Sequence, residues 1–185
     1  MNSSIEVMVA EHEYIIRLIR VIRQASLNIF NGGEIDSDDF EEIIDFIRSF
    51  ADKHHHGKEE KILFVEMKKH LGAVADKLIT HGMLVEHDLG RLYINDAHEA
   101  LEKVRQGDVD SKLDLIANIM NYGYLLIRHI GKEDTVVYPF AEKNLTKEIM
   151  DKINEESLVF EEDAKKTGTQ NYYIEILNRL EEKYL

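Results

Sequence analysis

Between Ser4 and Pro139, apolar residues return at intervals of three and four along four successive stretches, and each stretch closes on a turn signal. In the first, Ile5, Met8, Val9, Ile15, Ile16, Ile19, Ile22 and Phe30 share a face; Ser3 and Glu6 have capping-box spacing, and Asn31-Gly32-Gly33 ends the run. The second is capped by Asp36 or Ser37, carries Phe40, Ile43, Ile44, Ile47, Phe50 and Ala51, passes His55, and continues through Ile62, Leu63 and Met67 to about Leu71-Gly72. A third begins between Ala73 and Asp76, carries Leu78, Met83, Leu84, His87, Ile94, Leu101 and Val104, and stops at Gly107. The fourth starts from Asp108, Asp110 or Ser111 and carries Leu115, Ile116, Ile119, Met120, Leu126, Ile127 and His129, with Pro139 expected to kink or end it. Helices joined by short turns predict an all-α fold, an up-down-up-down four-helix bundle over residues 1–145. Beyond it, Thr146 to Lys166 reads as an acidic helix. Thr167-Gly168-Thr169 reads as a break, and Asn171 to Leu185 as a short helix with Tyr172, Ile176, Leu180 and Tyr184 in one stripe. Residues 146–185 are therefore predicted to be a C-terminal helical extension, packed on the bundle or between copies in a homo-oligomer.

Each of the four stretches brings one histidine to its apolar side, and the turns set their heights. Eighteen residues separate His12 from Phe30, and 18 separate Ser37 from His55. The corresponding intervals around the next two turns are 15 and 14, then 19 and 19, for His87 and His129. At a rise of 1.5 Å per residue the four imidazoles return to one level within about 2 Å.

Two of them sit in segments that repeat. Laying Gly57-Lys58-Glu59 over Gly131-Lys132-Glu133 puts His55 on His129, Glu60 on Asp134, Leu63 on Val137 and Phe64 on Tyr138. Each copy holds a His and a Glu four apart, a separation that turns both side chains to one helix face. A single inward imidazole is ordinarily a satisfied core histidine. Four on one level, two with an inward Glu, are different, because an unpaired carboxylate in a bundle core costs several kcal/mol. A cation removes that cost, and two such pairs facing each other make a two-metal site. The alternative pairing of His56 with Glu60 also satisfies the spacing, rotated about 100°. Gly90 and Gly123 lie near the same level and either open a channel or let helices approach.

Composition narrows the chemistry. With no Cys there is no disulfide or thiolate site. A His and carboxylate donor set fits iron or manganese better than zinc. A net charge of -13 argues against nucleic acid or an anionic membrane surface as a partner. The absence of a long apolar run or a basic, apolar leader predicts a cytoplasmic protein.

His12 within Glu11-His12-Glu13, the paired segments His55 to Glu59 and His129 to Glu133, and Glu86-His87-Asp88 together resemble the hemerythrin, or HHE cation-binding, family. The resemblance covers roughly Ile5 to Leu145. It implies a non-heme centre of two iron ions, oxo- or hydroxo-bridged. His12, His55, His87 and His129 would be terminal ligands, and Glu59 and Glu133 bridging carboxylates. His56, Glu60, Glu86 and Asp134 stand as alternatives, Glu86 as a seventh ligand, a hydrogen-bond acceptor or a surface acid. Oxygen-carrying hemerythrins have a His-x-x-x-His pair on the third helix, where this chain has Met83. The centre is in that respect similar to the four-His, two-Glu type of iron–sulfur cluster repair proteins, whose cysteine-bearing domain has no counterpart here. The functions implied are binding or turnover of oxygen, nitric oxide or peroxide in stress defence, iron storage or donation for cluster repair, or oxygen carriage or sensing. His54, His70, His81 and His98 are expected at the surface or boundary, and Tyr14, Tyr93, Tyr122 and Tyr124 mostly in the core.

Overall fold

The computed structural model describes residues 3–185, and all regular structure among them is helical. Helix α1 is Ser4–Phe30. Its start is the expected capping box: the Glu6 amide donates to Ser3 Oγ at 3.1 Å and the Ser3 amide to Glu6 Oε2 at 2.7 Å. Helix α2 occupies residues 37–71, capped by Asp36, whose carboxylate accepts from the amides of Asp38 and Asp39. It begins as α-helix (Ser37–Phe46), widens to π-helix over Ile47–His56 and Glu59–Leu63, and becomes α-helix again from Phe64. Gly72, at φ +65°, supplies the left-handed turn into α3, residues 73–105, which holds a π stretch at Ile79–Met83. Helix α4 covers residues 111–144, with a π stretch at Glu133–Val137.

Pro139 neither ends nor breaks α4. It falls in the first turn of the α-helical piece Tyr138–Asn144, directly after the π stretch, where a missing N–H costs little. Every π stretch lies at or beside the histidine level. Helices α5 (Lys147–Lys166) and α6 (Thr169–Tyr184) follow, the first capped by Thr146.

Helix α3 packs along α4, α1 against α4 and α6, and α2 against α3, while α5 lies over α1 and the lower part of α2. Ion pairs fix α6 in place: Arg17 to Glu181, and Lys183 to Asp36 and Asp39. No helix among the described residues is long and apolar enough to cross a membrane.

Two hydrophobic clusters fill the interior. One contains Ile15, Leu18, Phe50, Ile94, Leu126 and Ile130; the other contains Ile5, Met8, Ile62, Met83 and Val137. On each of α1 to α4 the chain passes from one cluster to the other through the histidine level: Met8 to His12 to Ile15, Phe50 to His55 to Ile62, Met83 to His87 to Ile94, Ile130 to Glu133 to Val137. Each buried aliphatic or aromatic side chain contributes about 1.5–3 kcal/mol. The polar layer is therefore clamped between two dry cores.

Candidate metal centre

Nearly all the inward histidine and glutamate side chains of the layer are out of solvent: His12, His55, His87 and His129 are each 1% exposed, Glu59 and Glu133 0%. His56, also buried, joins them. In the wider turn of the π-helix consecutive side chains are separated by a smaller angle, so His55 and His56 both enter the layer. Glu59 enters with them, and Glu60 is left outside.

The polar atoms converge in two groups. His56, Glu59, His87 and His129 offer donor atoms within 4.8 Å of one another, and so do His12, His55 and Glu133. His12 Nε2 and His55 Nε2 are 3.0 Å apart, and His87 Nε2 and His129 Nε2 3.1 Å. Glu133 lies between the groups, with Oε1 3.0 Å from His129 Nε2 and Oε2 3.3 Å from His12 Nε2. Glu59 Oε2 is 3.6 Å from His87 Nε2 and 3.8 Å from His55 Nε2. Both Glu133 oxygens, Glu59 Oε2 and His56 Nε2 are buried with no hydrogen bond. The atoms point at the space between them, which is the arrangement of ligands around cations.

The outer edges of the rings explain why. Each imidazole places Nδ1 against a carboxylate: His12 on Asp134 at 2.8 Å, His55 on Glu11 at 2.8 Å, His87 on Glu60 at 2.6 Å, His129 on Glu86 at 2.9 Å, and His56 on Asp52 at 3.2 Å. An imidazole that donates from Nδ1 keeps a lone pair on Nε2, so five lone pairs are turned inward by five outer acceptors. Glu60, Glu86 and Asp134, alternatives as ligands in the sequence, thus stand behind the rings. Of the ten sequence candidates, the structure brings seven to the centre and puts these three outside it.

Electrostatics follow the geometry. Burial and the neighbouring Glu133 charge raise the Glu59 carboxyl well above its ordinary range. Burial would raise Glu133 too, but His129, His12 and His87 hold it well below. Burial pulls His55 down to about 4 and, with the charge of His87, drives His56 well below its usual value. His12 moves up to about 9, because Asp134 and Glu133 outweigh its burial. In the absence of a cation, protons on His12 and Glu59 keep the balance, and cations entering the layer would displace them. Tyr138 donates from its hydroxyl to Glu59 Oε1 at 2.7 Å and stacks on His12 at 5.7 Å.

Three features ran against or beyond the sequence reading. His54, expected at the surface or boundary, is 4% exposed because α5 covers it, with Phe160 5.7 Å from its ring. There it bonds Glu11 and Glu161, and the fully buried Lys58 ammonium joins the same two carboxylates. Glu161 comes from the segment that reads in the sequence only as an acidic helix of the C-terminal extension. Tyr124, expected in the core, is 53% exposed, whereas Tyr122 is buried as expected. Tyr138 and Glu11 were missed as partners, although the repeat laid Tyr138 on Phe64 and Glu11 adjoins His12.

Residues 3–164 match the family model described as the hemerythrin HHE cation binding domain. The chain belongs to this hemerythrin family. Comparison with curated proteins and with solved structures found no match. A hemerythrin domain implies metal binding, typically of iron, and the two buried His and Glu groups are compatible with it. The matched range includes Glu161 and most of α5. Met83 remains the departure on α3, buried at 2% exposure, and the buried His56 stands in the layer as a fifth imidazole.

Proposed function

We propose that this hemerythrin-domain chain is a four-helix bundle holding two bridged iron ions and binding a small molecule, oxygen, nitric oxide or peroxide, in oxidative or nitrosative stress defence. His12, His55 and Glu133 would hold one ion, and His56, His87, His129 and Glu59 the other, with the two glutamates between them. The observation that carries this reading is the pair of Nε2–Nε2 approaches, 3.0 and 3.1 Å, between rings whose Nδ1 atoms face carboxylates. A positive charge must lie between two such nitrogens, a ring proton in the iron-free chain and a cation once iron displaces it. Bound there, iron supplies redox electrons and a coordination position for a diatomic ligand.

The chain's own groups do the rest. The outer carboxylates fix each imidazole tautomer, Tyr138 holds a proton against Glu59 Oε1, and the two apolar clusters keep bulk water from the layer. The test is an optical spectrum of the iron-loaded protein. Oxo-bridged ferric bands that shift with azide, and a reduced form that reacts with nitric oxide, support the reading; a mononuclear spectrum indifferent to both refutes it.

A second reading, an iron store or donor, draws on the half-exposed carboxylates behind the rings, Asp134 at 35% and Glu60 at 26% side-chain exposure, which give a cation a polar path from solvent. Rapid loss of iron to a chelator supports it, and iron retained through prolonged chelation removes it.

A further inference from the structure

The centre is closed on one flank and open on the other. Behind His55 stand Glu11, Lys58 and Glu161 under α5, and beside His12 stands the Tyr138 ring. Cavities next to His54, Lys58 and Glu11 end at that outer charge cluster. On the opposite flank a cleft of about 250 Å³ between α2, α3 and α4 reaches the imidazoles themselves, with His56 and His87 in its lining. Those two rings are stacked at 3.8 Å, and their inner nitrogens face Glu59.

Three observations distinguish this cleft from a packing fault. Tyr122 lines it, 2% exposed, and its hydroxyl has no hydrogen-bond partner. A buried hydroxyl left unpaired costs about 1–3 kcal/mol, so this one is placed to donate to a group held in the cleft. Gly90 also lines it, and packing does not require a glycine there. A Cβ would meet the Tyr122 ring and Leu126 at 3.6–3.8 Å, ordinary contact, whereas at Gly123 it would press on Ile19 at 3.3 Å. A glycine inside a helix costs about 0.5–1 kcal/mol relative to alanine, and at position 90 the return is open space. Third, the His56 ring is the most loosely tied of the five, its 3.2 Å contact to Asp52 being longer than the 2.6–2.9 Å of the others.

The lining also sets the guest's chemistry. Ile47 and Ile94 give apolar walls, Arg91 is committed to Asp52 and Glu60, and Arg48 bonds Asn95 at the rim. Deep in the cleft the unpaired Tyr122 hydroxyl stands beside these apolar walls, which suits a small uncharged molecule with one acceptor atom. We propose that the cleft between α2, α3 and α4 is the access and holding pocket for a small uncharged guest of dissolved-gas or peroxide size, with the Tyr122 hydroxyl donating to it and the stacked His56 and His87 rings as the wall between it and the centre. The destination of the guest rests on the reading above, but the pocket itself does not.

Xenon is the probe for the pocket, since it needs no metal. In xenon-pressurised crystals of the full chain, one xenon is expected against Gly90 and Tyr122, and Gly90→Leu is expected to exclude it. Gly90→Ala, whose Cβ makes only ordinary contacts, should weaken the site if the leucine variant folds poorly. In the iron-loaded protein, Gly90→Leu is expected to slow nitric oxide association severalfold. Tyr122→Phe should keep the xenon and speed nitric oxide release. Xenon absent from the cleft, or association unchanged in a variant that excludes xenon, overturns the proposal. A chain that binds no iron yet seats xenon at Gly90 refutes the di-iron reading and leaves the pocket standing.

Discussion

The two repeated segments, residues 54–60 and 128–134, present the same His-x-x-x-Glu pattern to one layer and differ in almost everything around it. In α2 the segment lies under α5: Lys58 is 1% exposed, His54 is buried, and a Cβ at Gly57 would meet Phe160 at 3.3 Å. In α4 the matching Lys132 has a side chain 50% exposed, Arg128 is exposed, and a Cβ at Gly131 would meet nothing within 4 Å. The inner face of each copy is set by the His and Glu layer the two share, and the outer face by which neighbour happens to cover it. Equal letters at equal register therefore carry unequal energies.

The largest difference is expected at the glutamates. Glu133 lies within reach of His12, His87 and His129, whereas Glu59 is tied to Tyr138 and sits farther from its imidazoles. Glu133→Ala should abolish binding of both ions, and Glu59→Ala should leave a partly loaded protein; iron content per chain after gel filtration reads the contrast. Equal losses would make the copies equivalent at the inner face.

The lysines come next. Lys58→Met removes the buried ammonium between Glu11 and Glu161 and leaves His54 as their shared partner, with an expected loss of about 3 kcal/mol. Lys132→Met removes a surface pair to Glu86, with an expected loss under about 1 kcal/mol. Urea unfolding of both variants without metal checks the pair.

Acidity acts through both copies. His55 in α2 is depressed to about 4, so between the ordinary value of 6.5 and about 4 the unfolded chain binds more protons than the folded one. Stability of the iron-free chain is expected to fall as pH drops through that window. His12 works in the opposite sense: its stabilisation, complete below 6.5, is lost as pH rises towards about 9. Thermal melts of the iron-free chain from pH 4 to 9 should pass through a maximum between the two windows, and a monotonic curve would contradict these assignments.

The smallest contrast is at the glycines. Gly131→Ala should stabilise by about 0.5–1 kcal/mol through helix propensity alone, while Gly57→Ala gains less, or loses, because Phe160 must shift.

Much of the layer was legible because it depends on quantities a sequence carries. Turn positions and helical rise put His12, His55, His87 and His129 at one height, and the repeat picked out Glu59 and Glu133. What was not legible depends on the local winding of the helix and on tertiary cover. Nothing in the letters marks Ile47–His56 as π-helical, so only the structure admits His56 beside His55 and turns Glu60 outward. The roof over His54 and Lys58 comes from Phe160 and Glu161, some hundred residues away in a helix that reads in the sequence only as acidic. Pro139 is tolerated for the same local reason, its place in the turn after a π stretch.

The central claim is that five imidazoles and two glutamates of this chain bind two ions. Anaerobic titration of the iron-free protein with ferrous iron, followed by equilibrium dialysis, tests it most directly. The expected result is saturation at two irons per chain in the parent and a weakened second equivalent in His56→Ala. Saturation at one iron, or a His56→Ala titration superimposable on the parent, would contradict the claim.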